Sequence, residues 1–286
     1  EEFHYPKYGP GQLWEITAEH IRKLGGHILF GHCVKKLNFQ DGAIKEIVCV
    51  HNGDEIKFEG DLFISSMPIK DLVEGLNDVP QEVKTIAAGL PYRDFVTVGV
   101  LVDKLNLKNE SKLKTLGNII PDCWIYVQDT GVKLGRIQIF NNWSPYLVKD
   151  PQHSVWIGLE YFCSEGDSFW NKSPEEWKEL GIAELIKIDI INKKDQVRDF
   201  HVEKVKKAYP AYFDTYSQID QLIDHLNSIQ NLYCVGRNGQ HRYNNMDHSM
   251  VTAFECVKNI LSNQPASKDN IWNVNTEKEY HEEKKG

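Results

Sequence analysis

The spacing of apolar and polar positions changes period several times along the chain, and each change predicts an element. Leu13, Ile16, Ile21 and Leu24 recur at helical intervals behind Pro10 and stop at Gly25-Gly26, which predicts an amphipathic helix with proline in its first turn. A period of two follows. Strands are expected over 27–37, 43–50 and 55–58, joined at Asp41-Gly42 and Asn52-Gly53, pairs that suit tight hairpin turns. Residues 60–66, GDLFISS, form an apolar run too short for a helix; it ends before Pro68, as a buried parallel strand would. Residues 69–88 read as helical or irregular, broken at Val79-Pro80.

The middle of the chain has β-branched and aromatic runs at 94–102, 124–128, 136–142 and 154–162, with no helical pattern between them. Four such strands in succession predict an antiparallel sheet, a second structural unit that serves as a lid or substrate platform. Ser173-Pro174-Glu175-Glu176 is a capping box with proline at the first helical position, and the helix it starts carries Trp177, Leu180, Ala183, Leu185 and Ile186 toward 191. A strand over 197–205, the proline-pinned aromatic segment KKAYPAY and a short helix over 218–230 lead to the last apolar run. Beyond Ser262 the polar composition reads as a frayed tail that Ile271-Trp272 can dock. The fold class expected from this order is α+β.

The last run is Leu232 to Val235 in LYCVGRNGQHRYNNMDHSM, read as a buried strand, a glycine turn and a helix beginning near Met246. A turn feeding a helix start presents unpaired N–H groups and the positive end of the helix dipole, which suits an anion or an electron-rich ring edge. Glycines there serve equally well as plain tight geometry. Arg237 offers its donors to a phosphate or carboxylate, or pairs with a nearby acid to fix the turn. Asp247 is either a ligand-facing residue or a helix cap. Tyr209 and Tyr212 wall a flat pocket or pack in the core. Arg136 reaches an anionic partner if it faces inward, and Trp143 shares with Trp124, Tyr126 and Tyr146 the choice between platform and core. Lys7, in the loop before the first helix, is either a ligand contact or solvated.

Composition narrows these options. With 286 residues and 41% hydrophobic content the chain can bury a large core, and a net charge of -8 gives no support for a nucleic-acid partner. The six cysteines show no metal-ligand spacing, and His241 with His248 lacks a third ligand, so no metal is expected. No apolar run is long enough to span a membrane, and free thiols point to a reducing, cytoplasmic setting. GxGxxG, Walker, GxSxG and HExxH motifs are all missing.

FHYPKYGPGQLWE, GDLFISSMP and VGRNGQHRYNNMDHSM together resemble the later part of flavin-dependent oxidoreductases of the amine oxidase, protoporphyrinogen oxidase and UDP-galactopyranose mutase superfamily. The resemblance covers nearly the whole chain, most strongly 3–70 and 232–258. It implies α/β architecture in a full-length parent whose glycine-rich dinucleotide segment lies upstream. It divides the chain into part of an FAD-binding domain (1–70 and 228–262), an interleaved, mostly antiparallel substrate domain (71–227) and a polar tail (263–286). By the same resemblance Gly236, Arg237 and Gly239 approach the FAD backbone or pyrophosphate. Asn245, Met246 and Asp247 lie near the flavin ring and ribityl chain, and Tyr209, Tyr212, Arg136 and Trp143 face the substrate. The implied substrate is a small molecule, an amine or a nucleotide sugar. A piece lacking the dinucleotide segment is expected to hold FAD weakly and to self-associate through its exposed edges.

Overall fold

The computed structural model describes residues 4–262 and 267–276, so the tail beyond 276 lies outside the described residues. In chain order, helix α1 (Pro10–Lys23) precedes strands β1 (Cys33–Gln40), β2 (Ala43–His51), β3 (Asp54–Glu59) and β4 (Phe63–Ser65). Helices α2 (Ile69–Gly75) and α3 (Gln81–Ala88) lead to β5 (Tyr92–Val102), β6 (Trp124–Tyr126), β7 (Arg136–Ile139), a helical turn α4 (Phe140–Trp143) and β8 (Val155–Cys163). Then come α5 (Pro174–Lys187), β9 (Val197–Pro210), α6 (Ile219–Ser228), β10 (Leu232–Cys234), α7 (Gly236–Gln240), α8 (Met246–Leu261) and α9 (Asp269–Trp272). These elements sort into two compact units, one made of the chain up to Ile28 with Asp94–Lys206, the other of Leu29–Arg93 with the chain from Lys207.

The first unit is built on a sheet of order β6-β7-β8-β5-β9, antiparallel across the pairs β6/β7, β7/β8 and β8/β5. Its strands alternate strictly. Val96, Val98, Val100, Ile137, Ile139, Ile157 and Leu159 are buried on one face, packed with Trp177, Ile182 and Leu185 of α5. The opposite face carries Trp124, Tyr126, Arg136, Gln138, Glu160 and Phe162, brought side by side by the strand registers. Helix α5 starts as the sequence predicts: the Ser173 hydroxyl accepts from Glu176 N, and the Glu176 carboxylate accepts from Ser173 N at 2.8 Å. Ser173→Ala is expected to lower unfolding free energy by about 1 kcal/mol, read from denaturant midpoints. The helix stops at Lys187 rather than near 191, because Asp189 turns to φ 58° and the Ile190 N–H bonds back to Leu185 O. β7 is also shorter than expected. Asn141 and Asn142 leave the ladder and donate their amides to the carbonyls of Ser154, Ile120 and Asp122, closing one helical turn.

In the second unit the hairpin pairs form a three-stranded antiparallel meander, β1-β2-β3, and the aspartate-glycine and asparagine-glycine turns hold Asp41, Gly42, Asn52 and Gly53 at positive φ. β1 begins only at Cys33, because Gly31 adopts positive φ and interrupts the extended run expected from 27. Its core joins Leu37 and Ile44 to α2, α3 and α6 through Ile69, Leu72, Ile86, Leu222 and Leu226. The run 60–66 contains β4, which pairs in parallel with β10, placing Phe63 beside Leu232 and Ser65 beside Cys234. α8 buries Thr252 and Cys256 on the side of β10, while Val251, Phe254, Val257 and Leu261 are exposed. The tail does dock: Trp272 of α9 is buried and its indole N–H donates to Asn227 Oδ1 at 3.0 Å.

Candidate functional site

β10 ends at Cys234, and the chain turns at once into α7, so the region read as a glycine turn is a short helix. Two glycines make this junction possible. Gly236 has φ 76°, a backbone state that an L side chain rarely adopts, and its N–H is taken by Thr252 Oγ1 at 2.9 Å. Gly239 lies against β4, where an added Cβ would stand 2.6 Å from Ser65 O and 3.2 Å from Ser66 Cα. Both atoms belong to backbone and cannot swing away, so Gly239→Ala is expected to cost about 1–3 kcal/mol, measured as a shift in denaturant midpoint.

After α7 the chain crosses from His241 to Asn245 through groups that are mostly buried. Gln240, His241, Arg242 and Asn244 are each at most 5% exposed, so this polar crossing is interior rather than loop surface. Arg237 ties the crossing to the end of β9. Its Nε donates to Asn244 O at 2.7 Å and its Nη1 to Ala208 O at 3.2 Å, while the guanidinium lies 5.3 and 5.1 Å from the Tyr209 and Tyr243 ring centres. The two tyrosines are themselves stacked, 5.7 Å apart. Tyr212 stacks on Tyr216 at 4.3 Å, and its hydroxyl accepts from Tyr243 N. Tyr209 and Tyr212 therefore join Arg237 within one unit.

Among the described residues, Ser65 Oγ, Asn238 Oδ1, His241 Nδ1 and Asn244 Oδ1 are buried around α7 and make no hydrogen bond with the protein. Such orphans are costly and gather where a ligand or water completes the set. Beyond them, Asn245 stands at the N-cap position of α8, with its N–H donating to His248 Nδ1 at 3.3 Å. Met246 and Asp247 follow in the first turn with exposed side chains. Gly236, Arg237, Gly239, Asn245, Met246 and Asp247 thus occupy one strand-to-helix crossing.

Arg136 and Trp143 belong to the other unit. Arg136 Nε pairs with the Glu160 carboxylate at 2.5 Å, with side-chain exposures of 12% and 2%, and Gln138 donates its amide to the same carboxylate. The guanidinium is 4.9 Å from the Trp124 ring centre and 5.3 Å from that of Phe162. Trp143 stacks on Tyr5 at 5.2 Å and meets Trp124 edge-on. Lys7 lies 4.2 Å from the Tyr146 ring centre. Glu160 and Gln138 were not legible as site residues; the only signal was their parity with Trp124 and Arg136 across neighbouring strands.

Among the described residues no group of three or more histidine, cysteine or acidic side chains is placed to hold a metal, and no helix is long and apolar enough to cross a membrane. All six cysteines are free thiols.

No protein-family model and no curated protein matches the chain. Solved structures do. A reduced UDP-galactopyranose mutase superposes with a TM-score of 0.73 at 19% identity, covering 96% of this chain and 57% of that one. A protoporphyrinogen oxidase assigned from Exiguobacterium sp. 255-15 gives 0.57 at 14% identity, covering 80% and 46%. A putrescine oxidase bound to putrescine gives 0.57 at 13% identity, covering 87% and 53%. The fold is therefore shared with these enzymes, and the chain spans about half to three-fifths of their length.

Proposed function

We propose that this chain supplies one wall of an FAD site and a substrate-facing sheet to a flavin-dependent oxidoreductase of the amine-oxidase type. The observation that carries the reading is the buried crossing from α7 to α8, where orphaned polar atoms surround a glycine-pinned turn beside an exposed helix start. The residues present fit the cofactor. Gly236, Arg237 and Gly239 would lie along its pyrophosphate, and Asn245, Met246 and Asp247 along the ribityl chain and ring. FAD, when bound, supplies an acceptor for a hydride from the substrate. The chain's own work is orientation: Arg237, held at two carbonyls and packed on Tyr209 and Tyr243, keeps the crossing in one shape. In this reading 1–70 with 228–262 serve the cofactor and 71–227 the substrate, with Tyr209, Tyr212, Arg136 and Trp143 as substrate contacts.

A second reading, a nucleotide-sugar mutase, is favoured by the match to UDP-galactopyranose mutase over 96% of the chain. One experiment separates the two. Protein expressed from its complete coding sequence is made anaerobic and its flavin spectrum is followed with a primary amine, then with a UDP-hexose. Bleaching by the amine supports oxidation, whereas interconversion of the sugar ring without net bleaching supports the mutase. Colourless protein that releases no flavin on denaturation sinks both readings.

A further inference from the structure

Segment 267–276, which carries α9, is fastened to the rest of the second unit at both ends. At its start the Lys268 ammonium uses all three donors on backbone carbonyls: Ile229 O at 2.6 Å, Leu232 O at 2.7 Å and Asn227 O at 3.3 Å. In its middle Ile271 packs with Val235 and Cys256. Near its end Asn275 Nδ2 donates to Tyr243 O, in the α7–α8 crossing, at 3.3 Å. Between these ends the segment reaches Gln240, whose Nε2 donates to Ile271 O at 2.9 Å and less closely to Cys234 O at 3.4 Å. Carbonyls only accept, so the amide has a single orientation, and its Oε1 is left to accept from Asn244 Nδ2 at 3.1 Å. Asn244 in turn gives its backbone oxygen to Arg237 Nε at 2.7 Å. One run of hydrogen bonds thus leads from α9 to the arginine that ties the crossing to the end of β9.

We propose that segment 267–276 is a strap that sets the shape of the α7–α8 crossing, with Gln240 as the positioning residue through which it acts on the cofactor wall. The consequence for FAD rests on the function proposed above, whereas the strap itself does not. Gln240 and Asn244 are buried, so each bond in the run replaces one that water cannot easily supply. With Ile271 O withdrawn, Gln240 Nε2 keeps only its 3.4 Å contact, and Asn244 loses the fixed acceptor that orients it. A network of this kind holds one arrangement when every link is made and several when one is broken. The shape of a turn built from 236–245 is therefore set by residues that follow it in the chain.

The test uses protein from the complete coding sequence and two substitutions at opposite ends of the run. Lys268→Met keeps the length of the side chain and removes an anchor whose three acceptors lie outside the crossing. Gln240→Leu keeps the bulk of the side chain and removes the link. Amide hydrogen exchange is followed by mass spectrometry over 236–245 and over the β1-β2-β3 meander, and FAD affinity is read from flavin fluorescence. Each substitution is expected to speed exchange over 236–245 by about tenfold or more while the meander keeps the parent's rate. Each is also expected to weaken FAD binding by about tenfold. The double variant is expected to weaken it by less than the product of the two single effects, because both changes break the same run. The proposal fails if Lys268→Met leaves exchange over 236–245 at the parent's rate, if the meander speeds up equally, or if the two effects on FAD multiply. Parent protein that binds no FAD sinks the FAD reading alone, and the exchange rates still decide the strap.

Discussion

Arg136→Met is expected to lower the stability of the chain by about 3–5 kcal/mol, the cost of leaving a buried carboxylate without its counter-ion. Glu160 has a side-chain exposure of 2%, and with the guanidinium gone the Gln138 amide is the hydrogen-bond donor left to it among the described residues. Methionine keeps the length that lies against Trp124 and Phe162, so lost packing accounts for little of the change. The double variant Arg136→Met with Glu160→Met removes both charges and is expected to return within about 1–2 kcal/mol of the parent. Urea unfolding followed by circular dichroism reads both values. A single variant that loses less than about 1 kcal/mol, or a double variant no better than the single, would show that the pair behaves as a surface bridge.

The same pairing limits what the sheet can bind. Arg136 was read from sequence as a donor for an anion, and in the fold its first anion is Glu160. A phosphate or carboxylate approaching this face has to compete with a carboxylate already seated in the sheet. An uncharged ring stacking near Trp124 and Tyr126, which are 43% and 66% exposed, needs no such exchange. The β6-β7-β8 face therefore suits an uncharged aromatic group better than an anion.

Elements whose identity depends on neighbours in sequence were legible. The capping box at Ser173, the two hairpin turns and the short apolar run around β4 each carry their cause within a few residues, and each appears where expected. What escaped were pairings between distant segments. Nothing near Arg136 announces Glu160, 24 residues on, because the strand register that joins them is set by the core on the opposite face. Arg237 stands out in the sequence, yet its aromatic neighbours come from the end of β9 and from the crossing itself. The apolar periodicity of α8 gave its length but not its buried side. Thr252 and Cys256 face β10, while Phe254, Val257 and Leu261 remain exposed among the described residues. Local pattern fixes an element, and the choice of which face is covered belongs to the rest of the fold.

His241 is where the crossing is most sensitive to acid. Its ring is completely buried, edge-on to Tyr92 at 4.7 Å, with Nε2 bonded to Ala211 O at 3.0 Å and Nδ1 lacking a partner among the described residues. Burial pushes its pKa down to about 4; the bond to Ala211 O opposes the shift, and Arg242 and Lys70 reinforce it. In the unfolded chain a histidine titrates near 6.5. The folded value is the lower one, so the unfolded state takes up the proton first as pH falls. Stability from this residue is therefore complete above about pH 6.5 and is lost between there and about pH 4, at about 1.4 kcal/mol per pH unit and about 3 kcal/mol in all. His241→Asn tests the claim, because asparagine tolerates the left-handed backbone at φ 48° and does not titrate. Its absolute stability will be lower, so the quantity to compare is the slope of unfolding free energy between pH 4.5 and 6.5. The parent is expected to lose about 1.4 kcal/mol more per pH unit than the variant across that window. Other groups titrating there, His225 with its lowered pKa included, cancel in the difference. Parallel slopes would mean that the His241 ring accepts its proton while folded, and that the crossing opens to water at neutral pH.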